Sequence, residues 1–242
     1  MATLIIGLLI CLTCTSVFIY LRVKKGGLAG LISKTVASFA FIFFALLLLA
    51  TKMGINLNSS YANTFLILGL ICGLIGDVLL DLKVVYSFHK DTYLYSGMTS
   101  FLIGHLFYII SLFLFAQNQI HLFAEKLLPL LFILLGACVL TVIIYFVSTK
   151  VIKLKYEKFS KIVNLYSFVL IFTTILSIYI SCIVNILPMY ILSIGFVLFL
   201  LSDLVLSMQY FGDKLHDKKL IIINHSLYYL AQIIIAMFLF FV

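Results

Sequence analysis

The stretch whose reading decides the fold is Leu68–Lys83, LGLICGLIGDVLLDLK. Its apolar positions do not confine themselves to one helical face, so a helix here is surrounded by other helices or by lipid. Within it stand a glycine stripe, Gly69 and Gly73, and an aspartate, Asp77, where hydrocarbon is expected. A second stretch near the other end, Ile194–Gln209, reads IGFVLFLLSDLVLSMQ and carries Asp203 in the corresponding place.

Outward from these segments the chain has the same character. It is 65% hydrophobic and 10% charged, whereas soluble domains carry about 25% charge. Apolar runs of about 20 residues, the length that crosses a hydrocarbon core, recur from end to end. The fold class is therefore all-α: a polytopic membrane bundle forming one domain over residues 1–242. Eight spans are predicted, at 2–21, 34–51, 61–82, 95–116, 127–148, 162–184, 188–208 and 220–242. Pro129 and Pro188 each open a span, where a missing N–H is not needed. The short connections predict antiparallel neighbours.

The net charge of +8 comes from basic residues between the apolar runs. Such residues anchor helices at the membrane surface, and the pattern argues against a nucleic-acid partner. The loops after spans one, three, five and seven, with their flanks, hold 14 of the 16 Lys and Arg residues, Arg22, Lys34 and Lys83 among them. Lys52 and Lys126 are the other two. This asymmetry predicts that the basic loops are cytoplasmic and that both termini lie outside. The first apolar run has no positive residues before it, which favours a retained span over a cleaved leader. All five cysteines fall in apolar runs, and Cys11-x-x-Cys14 has no second pair to complete a metal or redox motif.

An internal repeat is visible. Gly69 precedes Asp77 by eight residues, as Gly195 precedes Asp203. His105-x-x-Tyr108 follows the first aspartate segment and His225-x-x-Tyr228 follows the second. Two four-helix repeats of the same orientation are one reading of this pattern.

Asp77, Asp203 and His225 each lie six residues from their loop boundaries, roughly 9 Å into the membrane at about 1.5 Å per residue. On the last span His225, Tyr229 and Gln232 share a face, and Asn224 and Tyr228 extend the polar series. An aspartate at mid-helix costs about 2.5–3.5 kcal/mol to insert, so it normally faces a bundle interior or a wet cavity. A single carboxylate can be explained as an interhelical hydrogen bond. Two at matched depth, with His105, Tyr108 and the polar face of the last span, predict a lined polar pocket. The glycine stripe reads as close helix packing, and Asp81 is expected at the interface, solvated or paired with Lys83. No G-x-S-x-G motif is present, and neither His-x-x-x-His nor Glu-x-x-His occurs, so neither a hydrolase elbow nor a metal site is expected.

These residues resemble the YhhN family of membrane proteins. The resemblance is carried by Gly76-Asp77-x-x-Leu80, His105-x-x-Tyr108, Ser202-Asp203 and Tyr228-Tyr229-x-Ala231-Gln232, in that order along eight spans. It implies a lysoplasmalogenase-like activity, in which the sn-1 vinyl ether of a lysoplasmalogen is hydrolysed to a fatty aldehyde and a glycerophospho-ethanolamine or -choline. The family's two aspartates map onto Asp77 and Asp203, and no cofactor is implied. Vinyl-ether cleavage suits two carboxyls, one carrying a proton for the β-carbon and one stabilising the oxocarbenium ion. The expected partners are a lysophospholipid and the bilayer, and the composition suggests a bacterial inner membrane. A proton-coupled transporter built on the repeat, and a scaffold whose polar residues only join helices, are the competing readings.

Overall fold

A computed structural model of the chain describes residues 2–51, 57–120 and 127–241. Its eight long helices are α1 Ala2–Lys24, α2 Gly27–Thr51, α3 Leu57–Val85, α4 Lys90–Ile120, α5 Leu127–Phe146, α6 Ser160–Val184, α7 Leu187–Phe211 and α8 Lys218–Phe238. All eight are long and apolar enough to cross a membrane, and no strand occurs among the described residues. Lys52 and Lys126, the two basic residues assigned to the opposite side, lie outside the described residues.

The helix ends follow from local chemistry. Asp217 caps α8, its side chain accepting from the backbone N–H of Lys219 at 2.9 Å and of Leu220 at 3.4 Å. Asn185 ends α6 in the left-handed conformation (φ 51°) and Pro188 sits in the first turn of α7. Between α1 and α2 the chain reverses at Gly26 and Gly27, whose φ values of +61° and +48° need no side chain to be accommodated.

One boundary corrects the sequence reading. The second helix was expected to begin at Lys34, with that lysine as a surface anchor. It begins seven residues earlier, at Gly27, and Lys34 is buried at 3% exposure. A lysine reads as a helix boundary only while its charge needs water, and here two carboxylates from α3 take water's place.

The odd-numbered connections, after α1, α3, α5 and α7, gather the basic residues at one end. Arg22 at the end of α1 reaches Asp81 near the end of α3. The ammonium of Lys83 stands 3.2 Å from the ring centre of Tyr210 on α7. The backbone N–H of Lys155, between α5 and α6, donates to Phe211 O at 2.9 Å, and Lys158 pairs with Asp91 at the start of α4.

α3 packs most extensively on α4, and α7 on α8; α8 also touches α1, α2 and α3. That central place explains how α8 tolerates Asn224, His225, Tyr228, Tyr229 and Gln232: its neighbours are protein rather than lipid. α5 is the opposite case. It packs on α6 and leaves Leu131, Phe132, Leu135, Val142 and Phe146 exposed, the surface expected against acyl chains. The α3 glycine stripe is filled by side chains. A Cβ on Gly69 would lie 2.2 Å from Tyr108 Cε1, one on Gly73 2.8 Å from Gln232 Nε2, and one on Gly76 2.6 Å from Phe101 Cε2. Glycine there lets α4 and α8 close on α3 with large polar and aromatic residues between them.

Candidate functional site

Asp77 is almost fully buried and holds three donors from two helices. Lys34 Nζ approaches Oδ1 at 3.1 Å, while the hydroxyls of Ser38 and Tyr228 donate to Oδ2 at 2.6 and 2.9 Å. Lys34 and Ser38 are one helical turn apart on α2, so both reach the same carboxylate. Tyr229 closes this side, donating to Lys34 O at 3.1 Å with its oxygen 2.9 Å from Ser38 Oγ. On the other side the donors run in one direction. Tyr108 donates to Gln232 Oε1 at 3.4 Å, Gln232 Nε2 donates to Tyr228 at 2.9 Å, and Tyr228 donates to Asp77.

Asp81 is drawn inward rather than toward Lys83. Arg22 grips it in a fork, NH1 to Oδ2 at 3.0 Å and NH2 to Oδ1 at 3.1 Å, and Lys34 Nζ adds a contact at 3.3 Å. The fork is the geometry a guanidinium forms best with a carboxylate. Gly30 makes it possible, since a Cβ there would stand 2.9 Å from Arg22 NH1. Arg22, Asp81, Lys34 and Asp77 thus form an alternating row of charge, two cations against two anions, inside the bundle.

Asp203 has a different setting. Its partners are hydroxyls: Tyr166 of α6 donates to Oδ2 in a short contact, and Ser202 Oγ lies 3.4 Å from Oδ1. Among the described residues it has no cation partner, and it shares no hydrogen-bond partner with Asp77. It borders a cavity of about 70 Å³ between α4, α6 and α7, walled mainly by apolar side chains such as Leu80, Met98, Phe101 and Leu170. Ser167, Ser207 and Tyr210 add hydroxyls to the lining, and the volume suffices for several waters. Asp77 does not line this cavity.

The two halves mirror each other in this respect. Asp77 takes a hydroxyl from α2 and Asp203 takes one from α6, the second helix of each half.

On α4, Tyr108 reaches the Asp77 group through Gln232, and the His105 ring lies beside Tyr166, the partner of Asp203. The His105 ring packs 4.7 Å from Phe199, 5.5 Å from Tyr108 and 6.0 Å from Tyr166, centre to centre. Neither of its nitrogens has a hydrogen-bond partner among the described residues. His225 leaves the group expected for it. Rather than joining Tyr229 and Gln232 at Asp77, it packs edge-on against Phe18 of α1 at 4.8 Å and faces a second cavity near Arg22. Asn224 donates to Gln209 Oε1 at 3.3 Å, tying α8 to α7 away from Asp77. Of the residues assigned to one pocket, Tyr108, Tyr228, Tyr229 and Gln232 do gather around Asp77.

Four residues of the candidate site were not singled out by sequence: Lys34, Ser38 and Arg22 around the acidic residues of α3, and Tyr166 at Asp203. For α2 a signal was present, since Ser33, Lys34 and Ser38 interrupt an otherwise apolar segment at helical spacing. Tyr166 offered none, being one of 14 tyrosines. Among the described residues no three His, Cys, Asp or Glu side chains converge as a metal-binding group.

Eight spanning helices that enclose carboxylates, hydroxyls and a buried lysine at one end define an integral helical membrane protein with a polar interior. The YhhN family profile matches residues 30–239, nearly the whole chain, and the protein belongs to that family. No curated protein and no solved structure matches it.

Proposed function

We propose that this protein is a membrane-embedded hydrolase that cleaves the vinyl ether of lysoplasmalogens, or of a closely related lysoglycerophospholipid, with Asp203 as the proton donor. The observation that carries the reading is the setting of Asp203: a half-buried carboxyl with hydroxyl partners alone, at the wall of an apolar cavity. The apolar walls suit the hydrocarbon around a vinyl ether, and a carboxyl without a cation is suited to carry a proton to it. Family membership supports the same chemistry.

In the first step the Asp203 proton passes to the β-carbon of the vinyl ether, and the C=C π electrons form the new C–H bond. The α-carbon and ether oxygen then share a positive charge, which the Asp203 carboxylate offsets. Water attacks the α-carbon and its proton returns to Asp203, giving a hemiacetal. In the collapse of the hemiacetal its hydroxyl gives up a proton and forms the aldehyde C=O. The bond between the α-carbon and the glycerol oxygen breaks, and the glycerol oxygen takes up a proton to leave as a free hydroxyl. Tyr166 holds the carboxyl in place through its hydroxyl, and the Ser167 and Ser207 hydroxyls offer sites to a water.

Asp77 has another part in this scheme. Its charge is matched by Lys34, and its partners tie α2 and α8 to α3. It positions Tyr228 and the α3–α4 wall rather than meeting the substrate. The charge asymmetry of the loops supports an orientation with the Arg22 and Lys83 end, and with it the reaction, on the cytoplasmic side of a cell membrane.

The test is aldehyde release from a purified lysoplasmalogen in nanodiscs. Asp203→Asn is expected to lower kcat by about 10²–10⁴-fold, the share a positioned general acid supplies. Absence of aldehyde from the wild-type protein, or full activity in Asp203→Asn, refutes the proposal.

A further inference from the structure

The second cavity, on the far side of Tyr210, carries chemistry that the hydrolytic step does not use. It measures about 90 Å³ and is bounded by Arg22, the Gly26–Gly27 turn, Gln209, His216 and His225. We propose that it is an anion pocket that takes the phosphate of the substrate's head group. The lipid assignment rests on the function proposed above; the anion assignment rests on the pocket itself.

Among the described residues no carboxylate lines this cavity. The nearest to its cation is Asp81, and both Asp81 oxygens are occupied by Arg22 and Lys34. Arg22, Lys34 and Lys83 face the two α3 carboxylates Asp77 and Asp81, and Asp203 lies beyond Tyr210 on the other cavity. The guanidinium of Arg22 spends one N–H of each terminal nitrogen on Asp81 and retains further donors.

His225 supplies the second, independent sign. Its side chain is 6% exposed and makes no hydrogen bond among the described residues, yet it lines the cavity. Its ring therefore has unused hydrogen-bonding capacity facing the cavity. An anion can accept from its N–H, and the edge contact with Phe18 fixes the ring's orientation. The pocket wall is also open where backbone needs to be approached, since a Cβ on Gly27 would meet nothing within 4 Å.

Position links the pocket to the reaction. Tyr210 lines both this cavity and the Asp203 cavity, so one side chain separates the two. In a lysophospholipid a glycerol unit separates the phosphate from the sn-1 oxygen, a comparable span. Lys83, seated over the Tyr210 ring, adds a cation at the shared wall.

The experiment measures binding to the full chain in nanodiscs, by calorimetry, of three probes. These are an unreactive alkyl-ether lysophosphoethanolamine, the matching alkylglycerol without phosphate, and inorganic phosphate. The lysophospholipid is expected to bind at least about 10-fold more tightly than the alkylglycerol, the scale of one charge-assisted hydrogen bond. His225→Phe keeps the ring packing and is expected to remove that advantage, His225→Gln to restore part of it, and alkylglycerol binding to stay constant throughout. His216→Ala, on the exposed loop, is expected to cost a few-fold. Equal affinity of the wild-type protein for lysophospholipid and alkylglycerol overturns the proposal without any variant. Inorganic phosphate binding lost in His225→Phe, with no lipid preference, keeps the anion pocket and overturns the head-group assignment. Because the lipid probe cannot be hydrolysed, tight binding without aldehyde release from the vinyl ether would sink the hydrolase and leave the pocket standing.

Discussion

Replacing Lys34 by Met tests the charged row that joins α1, α2 and α3. Lys34 is buried, and its ammonium lies 3.1 Å from Asp77 and 3.3 Å from Asp81. Methionine has nearly the same length, so the change removes charge and leaves packing largely intact. The two acids respond unequally. Asp81 keeps both contacts with Arg22, while Asp77 is left with the neutral hydroxyls of Ser38 and Tyr228. Removing one partner of a buried pair typically costs about 3–5 kcal/mol, because a desolvated charge remains. At about 2–4 °C per kcal/mol for a chain of this size, Tm falls by roughly 6–20 °C. The chain has no Trp, so far-UV circular dichroism in a fixed detergent is the readout. Asp77→Asn in the Lys34→Met background removes the orphaned charge. The double variant is therefore expected to be more stable than the sum of the single losses, with a coupling of about 1–3 kcal/mol. A Tm for Lys34→Met within about 2 °C of wild type, or strictly additive losses, refutes the reasoning.

Other outcomes follow from single contacts. Gly69→Ala pushes a Cβ to 2.2 Å from Tyr108 Cε1 and is expected to destabilise by about 1–3 kcal/mol. Gly136→Ala on α5 meets nothing within 4 Å, so the same thermal assay is expected to show a gain of about 0.5–1 kcal/mol. Tyr166→Phe removes the hydroxyl from Asp203 but keeps the ring; kcat for aldehyde release is expected to fall about 10-fold, by the loss of one hydrogen bond to a carboxyl, with KM little changed.

The sequence by itself determined the spanning helices and the carboxyls within them. Hydrocarbon demands about 20 apolar residues per crossing and penalises every charge within them, so both features are written in local composition. Position within the spans was equally legible: Asp77 and Asp203 stand out because each is an acid in an apolar run. Only the tertiary structure decided what each acid touches. Lys34 read as a surface anchor because a lysine's hydration is a local property, whereas the carboxylates that replace that hydration lie 43 and 47 residues further along the chain. Tyr166 is unremarked in α6 until α7 brings Asp203 against it. His225 shares a helical face with Tyr229 and Gln232, yet α1 claims it through Phe18. Pairing of Asp77 and Asp203 was inferred from equal depth, and depth is a coordinate along the helix axis. Which way each carboxyl faces is set by helix rotation, and rotation is chosen by packing: the glycines that admit Tyr108 and Phe101 against α3, and the donors of α2 and α8. That packing surrounds Asp77 with a cation and hydroxyls and leaves Asp203 at the wall of the apolar cavity.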